Sequence, residues 1–167
     1  MIVAPTLAES IHGVALVVGD RGLLILGESG SGKSSLAAAM LAHWPFGKAH
    51  LVADDRVMLK RVGHSIVARP HPLIEGKLEM RGYGIVNVAC ETTVTDLQYA
   101  PQRLDAVVVS GVIRLCHTLP QRLPTPEEGL TQVLGVILPM LNLKNDCAPF
   151  TRLITIWPYF RGQLCGV

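Results

Sequence analysis

An eight-residue run, Gly27-Glu28-Ser29-Gly30-Ser31-Gly32-Lys33-Ser34, carries the clearest chemistry in the chain. A glycine, four residues and then Gly-Lys-Ser is the spacing of a loop that cradles phosphate. Glycines let backbone N–H groups wrap closely around the anion, and the helix that follows turns its positive N-terminal end toward the same charge. Lys33 supplies a cation for β- and γ-phosphates, and the Ser34 hydroxyl is of the type that ligates Mg²⁺ beside them. The expected nucleotide-binding segment runs from Gly27 through Glu28, Ser29, Gly30, Ser31, Gly32, Lys33 and Ser34 to Ser35. Transfer of a phosphoryl group needs more: a carboxylate to hold the metal or its water, and a group to orient or deprotonate the acceptor. Asp54 and Asp55 stand together directly after the apolar run Ala49-His50-Leu51-Val52-Ala53. Side chains alternate at a strand end, so the two acids can point apart and take different roles.

The elements that must position these residues are legible in outline. Ile11 to Val18 reads as a strand, Gly19 to Gly22 as a tight turn and Leu23 to Leu26 as a second strand that feeds the glycine-rich loop. Ser34 to His43 is built of good helix formers and is stopped by Pro45 and Gly47. Ala49 to Ala53 is a short strand, and Val57 to Arg61 with Ser65 to Ala68 reads as a hairpin. Lys77 to Gly84, charged and carrying two glycines, reads as a functional loop before the apolar Ile85 to Ala89. Leu97 to Tyr99 and Ala106 to Val109 are further strand candidates, and Pro120, Pro124 and Pro126 mark a surface loop. Helices are expected from Glu127 to Leu134 and from Ala148 to Trp157, the second closed by Pro158.

With 167 residues the chain is expected to form one domain, 1–167, around one core. A net charge of +2 and a charged fraction of 17% argue against a nucleic-acid partner. The longest apolar stretch, Val133 to Leu141, is shorter than the roughly 20 residues of a membrane span and contains Pro139, so no membrane association is expected. Met1 to Ser10 lacks the basic start of a secretory signal, which points to the cytoplasm. Cys90, Cys116, Cys147 and Cys165 show no metal-ligand spacing and read as buried, reduced thiols. Apolar residues make up 49% of the chain and the mean hydropathy is +0.37, which points either to extensive strand burial or to apolar surface hidden in a homo-oligomer.

Taken with Gly27–Ser34 and Leu51-Val52-Ala53-Asp54-Asp55, a third motif, Leu78-Glu79-Met80-Arg81-Gly82-Tyr83-Gly84-Ile85-Val86-Asn87-Val88, makes the chain resemble the catalytic domain of bacterial HPr kinase/phosphorylase. The similarity runs from about Ser10 to Val88 and more loosely to about Trp157. It implies an α/β P-loop fold related to phosphoenolpyruvate carboxykinase, with a central mixed sheet and flanking helices. It also implies a Mg²⁺-dependent enzyme that moves phosphate from ATP or pyrophosphate to a serine of the phosphocarrier protein HPr, and can reverse the step with inorganic phosphate. By resemblance Asp55 is the base, with Asp54 beside it, Ser34 and Glu79 are Mg²⁺ ligands, and His12 is the active-site histidine. Arg81 and Gly82 would line the catalytic loop, Arg122 matches the family's catalytic arginine over a short segment, and the family's hexamers suggest the oligomer.

Three departures resemble a short alphaproteobacterial form of the family. Ser35 stands where long-chain members carry a glutamate, no N-terminal regulatory domain is expected, and Leu143-Lys144-Asn145-Asp146 replaces a Pro-Gly-Arg-Asn loop. Two alternatives stay open: a P-loop kinase with another acceptor, and a regulatory nucleotide-binding module without transfer. The doubled acid and Glu79-x-Arg81-Gly82 favour an enzyme over a module.

Overall fold

A computed structural model describes residues 8–90, 102–120, 122, 124–146 and 148–164. The strand candidate Leu97 to Tyr99, together with Cys147 and Cys165, lies outside the described residues. The chain opens with β1 (Glu9–His12), β2 (Val14–Val18) and β3 (Arg21–Gly27), followed by α1 (Lys33–His43) and β4 (Ala49–Ala53). Next come the hairpin β5 (Arg56–Val62) and β6 (Ser65–Pro70), then the hairpin β7 (Lys77–Met80) and β8 (Gly84–Asn87). Short strands β9 (Ala89–Cys90) and β10 (Gln102–Arg103) precede the long β11 (Val107–Cys116). A 3-10 turn at Pro126–Gly129, β12 (Leu130–Val133), β13 (Val136–Lys144) and α2 (Pro149–Gln163) complete the chain.

Eleven strands form one mixed sheet in the order β1-β5-β6-β11-β3-β2-β4-β10-β9, with β13 on β11 and β12 on β13. At its centre β11 runs parallel to β3 and to β13, so the C-terminal ends of these three strands share one edge. Strand β2 is antiparallel to both β3 and β4. All five residues of β2 are buried, and they alternate between two cores. Val14, Leu16 and Val18 join Leu23 and Ile25 in the core covered by α1 and α2, while Ala15, Val17 and Leu24 face the core closed by β5, β6 and β13. Burial on both faces explains why these strands read as continuous apolar runs. The two helices meet through Trp44, just after α1, whose ring stands edge-on to Trp157 of α2 with centroids 4.9 Å apart. No described helix is long and apolar enough to cross a membrane.

Four expectations about elements need correction. The single strand expected from Ile11 to Val18 is two, broken at Gly13 so that β1 leaves to pair with β5 (Glu9↔Leu59, His12↔Arg56) while β2 pairs with β3. The break suits glycine, since a Cβ there would lie 2.9 Å from the Ile25 carbonyl oxygen, and the Gly13 N–H donates to the Asp55 carbonyl at 3.2 Å. The expected loop Lys77 to Gly84 is instead strand and turn, closed where the Tyr83 N–H donates to the Met80 carbonyl at 3.0 Å.

The helix expected over Glu127 to Leu134 is only the 3-10 turn followed by β12. Leu134 and Gly135, at φ 47° and 80°, form a two-residue turn that returns the chain antiparallel as β13. A leucine at positive φ gives no turn signal in the sequence. The second expected helix does not stop at Pro158 but runs to Gln163. Proline forfeits only its own bond to the Ile154 carbonyl, whereas the turn beyond it brings Phe160 and Leu164 into the core. Leu164 fits because Gly111 on β11 has no side chain in its way.

Candidate phosphoryl-transfer site

Where β3 ends, the chain must turn sharply into α1, and glycine makes that geometry available. A Cβ on Gly27 would lie 2.5 Å from Ser31 Oγ, and Gly30 and Gly32 adopt φ 78° and 92°, conformations strained for other residues. The Ser31 N–H closes the turn on the Glu28 carbonyl at 3.0 Å. Lys33, the first residue of α1, is buried, and its Nζ donates to the Gly27 carbonyl at 3.0 Å and the Glu28 carbonyl at 2.9 Å. Burial pushes its pKa down from the ordinary lysine value, and the negative charges of Asp54 and Asp55 partly offset this. The ammonium is thereby aimed into the loop rather than into solvent.

The two aspartates diverge as expected, though through the backbone rather than strand alternation, because β4 ends at Ala53. Asp54 is buried and acts as a joint. Its Oδ1 accepts from Ser34 Oγ at 2.7 Å and its Oδ2 accepts from the Glu79 N–H at 3.0 Å, tying the start of α1 to β7. Asp55 adopts φ 65°, which directs its carboxylate outward; Oδ1 lies 3.1 Å from His12 Nε2, with the two side chains 56% and 59% exposed. A strained conformation at this point marks a residue that the surrounding structure holds in place.

Together these elements enclose a cleft of about 480 Å³ lined by His12, Ser29, Gly30, Gly32, Lys33, Ser34, Ser35, Asp55, Glu79 and Arg81. Arg81, on the β7–β8 turn, reaches over the loop, its Nη2 3.7 Å from where a Cβ on Gly30 would stand. Other residues singled out from sequence sit elsewhere. Asp54 lies beneath the cleft, Ser31 Oγ is buried against Gly27, and Gly27 and Glu28 border a second cleft that adjoins the first at His12. Arg122 is exposed and lines neither cleft. Ser34 and Glu79 offer oxygen donors, with the Asp54 carboxylate against Ser34. Among the described residues no group of three or more His, Cys, Asp or Glu could hold a metal ion alone. That donor set fits Mg²⁺, which takes one or two protein oxygens and completes its shell with phosphates and water. Cys116 is a free thiol as expected, but it is half-buried rather than buried.

Sequence reasoning missed the second cleft, about 580 Å³, where His117 lies 2.9 Å from Glu28 and Asn145 Nδ2 lies 3.1 Å from the other nitrogen of the same ring. No local pattern marks it, because it depends on the register that sets Cys116 of β11 opposite Lys144 of β13.

Comparison with known proteins agrees with this geometry. The family model of the HPr Serine kinase C-terminal domain matches residues 5–108. The HPr kinase/phosphorylase of Cupriavidus necator is 31% identical over 137 residues, covering 81% of this chain and 40% of that protein. That of Alkaliphilus metalliredigens is 40% identical over 87 residues, 51% of this chain and 26% of the relative. The chain therefore spans at most about 40% of the length of these curated relatives. The solved HPr(Ser) kinase/phosphatase from Coxiella burnetii superposes with a TM-score of 0.71 at 22% identity, covering 95% of this chain and 99% of that one, which shows a shared fold. On the family match, which spans more than half of its residues, this chain belongs to the HPr serine kinase C-terminal domain family.

Proposed function

We propose that this chain is a phosphotransferase that moves the γ-phosphate of a Mg²⁺-bound nucleotide to a serine hydroxyl of an HPr-type phosphocarrier protein. The observation that carries the reading is the exposed Asp55–His12 pair facing the same cleft as the phosphate loop. In this reading the loop N–H groups and the start of α1 bind the polyphosphate, and Lys33 turns from the loop carbonyls to the β- and γ-oxygens. Ser34 and Glu79 would hold Mg²⁺, with Asp54 fixing the Ser34 hydroxyl and the Glu79 backbone in place. When bound, the ion would neutralise charge on the polyphosphate.

Asp55 accepts the serine proton as the new P–O bond forms and the bond from the γ-phosphorus to the β–γ bridging oxygen breaks, releasing the nucleoside diphosphate. His12 keeps the carboxylate oriented. Arg81 lies where it can balance charge on the phosphoryl oxygens during transfer. The exposure of Asp55 and His12 suits an acceptor carried on a protein surface, which cannot enter a closed pocket. The same groups run in reverse would let inorganic phosphate take the phosphoryl group from phosphoserine, with Asp55 returning the proton. Arg122 takes no step in this scheme.

Incubation with labelled ATP, Mg²⁺ and the HPr-type carrier of the same organism tests the proposal. Label appearing on a carrier serine, and lost from the reaction in Asp55→Asn, is the expected result. Label on a different protein or small molecule would move the acceptor, and nucleotide binding with no transfer to any acceptor would overturn the enzymatic reading.

A further inference from the structure

Glu28 is the one acidic residue of the phosphate loop, and its side chain turns away from the transfer cleft toward the C-terminal ends of β11 and β13. There Glu28 Oε2 lies 2.9 Å from His117 Nε2. On the far side of the ring Asn145 Nδ2 lies 3.1 Å from His117 Nδ1. An amide NH₂ only donates, so Nδ1 accepts, the ring proton sits on Nε2, and Nε2–H is donated to Glu28. Asn145 is fixed in turn, since its N–H donates to the Cys116 carbonyl at 2.9 Å. Glu28 is thus tied to two strands that are far from it in sequence.

The tie matters because of what the Glu28 backbone does. Its carbonyl accepts both the Ser31 N–H that closes the loop and the Lys33 ammonium that serves the phosphates. Displacing Glu28 would move the loop's turn and its cation together. Hydrogen-bonding partners on both ring nitrogens hold an imidazole in one tautomer and one orientation, the logic by which a histidine serves as a strut. We propose that His117 and Asn145 are positioning residues that clamp Glu28 and so preset the loop for a nucleotide polyphosphate, an inference that rests on the loop's proposed nucleotide binding. The family match ends at residue 108, so neither residue falls within it, and Asn145 lies in the segment that replaces the family's Pro-Gly-Arg-Asn loop.

The members are exposed, Glu28 at 79% and His117 at 59%, so a modest effect is expected. Mg²⁺-ATP is titrated by calorimetry into the whole chain and its variants. His117→Ala and Glu28→Ala are each expected to weaken binding about two- to five-fold, and the double variant no further than either alone. His117→Gln, whose amide NH₂ can donate to Glu28 in place of the ring N–H, is expected to restore most of the loss. Nitrogen-15 spectra of the His117 ring are expected to show the Nε2–H tautomer in the parent and a mixture in Asn145→Ala. An Nδ1–H ring in the parent, additive single-variant losses or unchanged binding in His117→Ala would each overturn the clamp alone. A parent chain that binds no Mg²⁺-ATP would overturn the loop reading, and the clamp with it.

Discussion

Two clefts border the phosphate loop and adjoin at His12, and they are built by different physics. In front, an exposed pair, Asp55 and His12, stands on buried or strained supports: Asp54 is enclosed, Lys33 is desolvated, and Asp55 is held in a left-handed conformation. Behind, Glu28 and His117 are exposed, and their contact owes its geometry to a third residue, Asn145, rather than to exclusion of water. A buried charge without its partner is costly, whereas an exposed pair contributes little. In the function proposed above the front carries the chemistry, and in the proposed clamp the back tunes the shape of the loop. Substitutions should separate the two by orders of magnitude.

The largest loss is expected for Lys33→Ala. It removes the cation held between the Gly27 and Glu28 carbonyls and leaves the glycine backbone intact. Transfer is expected to fall by at least ~10²-fold, mainly in kcat, because the charge acts on negative charge that develops in the transition state. Steady-state kinetics with the carrier protein checks this. Near-normal turnover would remove the front cleft's claim to the chemistry.

Asp55→Asn comes next, with transfer down by about 10²–10⁴-fold, the usual contribution of a general base. Nucleotide affinity is expected to persist, since Asp55 contacts His12 rather than Ser34 or Lys33. Asp54→Asn should behave differently. The two donors sit on different oxygens, so the amide puts an NH₂ at one of them. Facing Glu79 it would meet a second N–H donor, and facing Ser34 it would force the hydroxyl to turn from donor to acceptor. A loss of about 1–3 kcal/mol in denaturant unfolding and weaker Mg²⁺-dependent binding are expected together. If the two variants behave alike, the adjacent acids do not divide the work.

The front cleft was legible because its pieces are local. Gly27 to Ser34 is one continuous motif, and Asp54–Asp55 follows a short apolar strand whose limits, Ala49 and Ala53, are the ones observed. The mixed sheet with helices was likewise expected, and so was the hairpin of β5 and β6. What the sequence concealed depends on contacts between distant residues. Glu127 to Leu134 suits a helix locally, yet Leu130 to Val133 pairs with Val136 to Pro139, and pairing with a strand overrides propensity. Helix α2 passes Pro158 because Phe160 and Leu164 find burial against β11, which no window around the proline can reveal. The back cleft needs three strand ends brought together, so His117 and Asn145 carried no signal.

The smallest effect is expected at the segment that continues from the back cleft into α2. Asp146 accepts from Arg152 Nη1 at 2.6 Å and Nη2 at 2.5 Å, and from the Ala148 N–H at 3.0 Å, so it holds the entry to the helix. The Arg152 hydrogen bonds, and after them the Ala148 N–H, lower its pKa to about 2, below the ordinary carboxylate value. A group depressed in the folded state releases its proton more readily there than in the unfolded chain. Its contribution is therefore complete above the ordinary carboxylate value and is lost as pH falls from there toward about 2. The pair is exposed enough for salt to screen it, so the effect should shrink at high ionic strength. Thermal melts of the parent and Asp146→Asn are expected to differ slightly near neutral pH and to converge below pH about 2. A difference that stayed constant across that range would show that Asp146 acts through its shape rather than its charge, and the exposed side of the molecule would then owe less to electrostatics than the back cleft suggests.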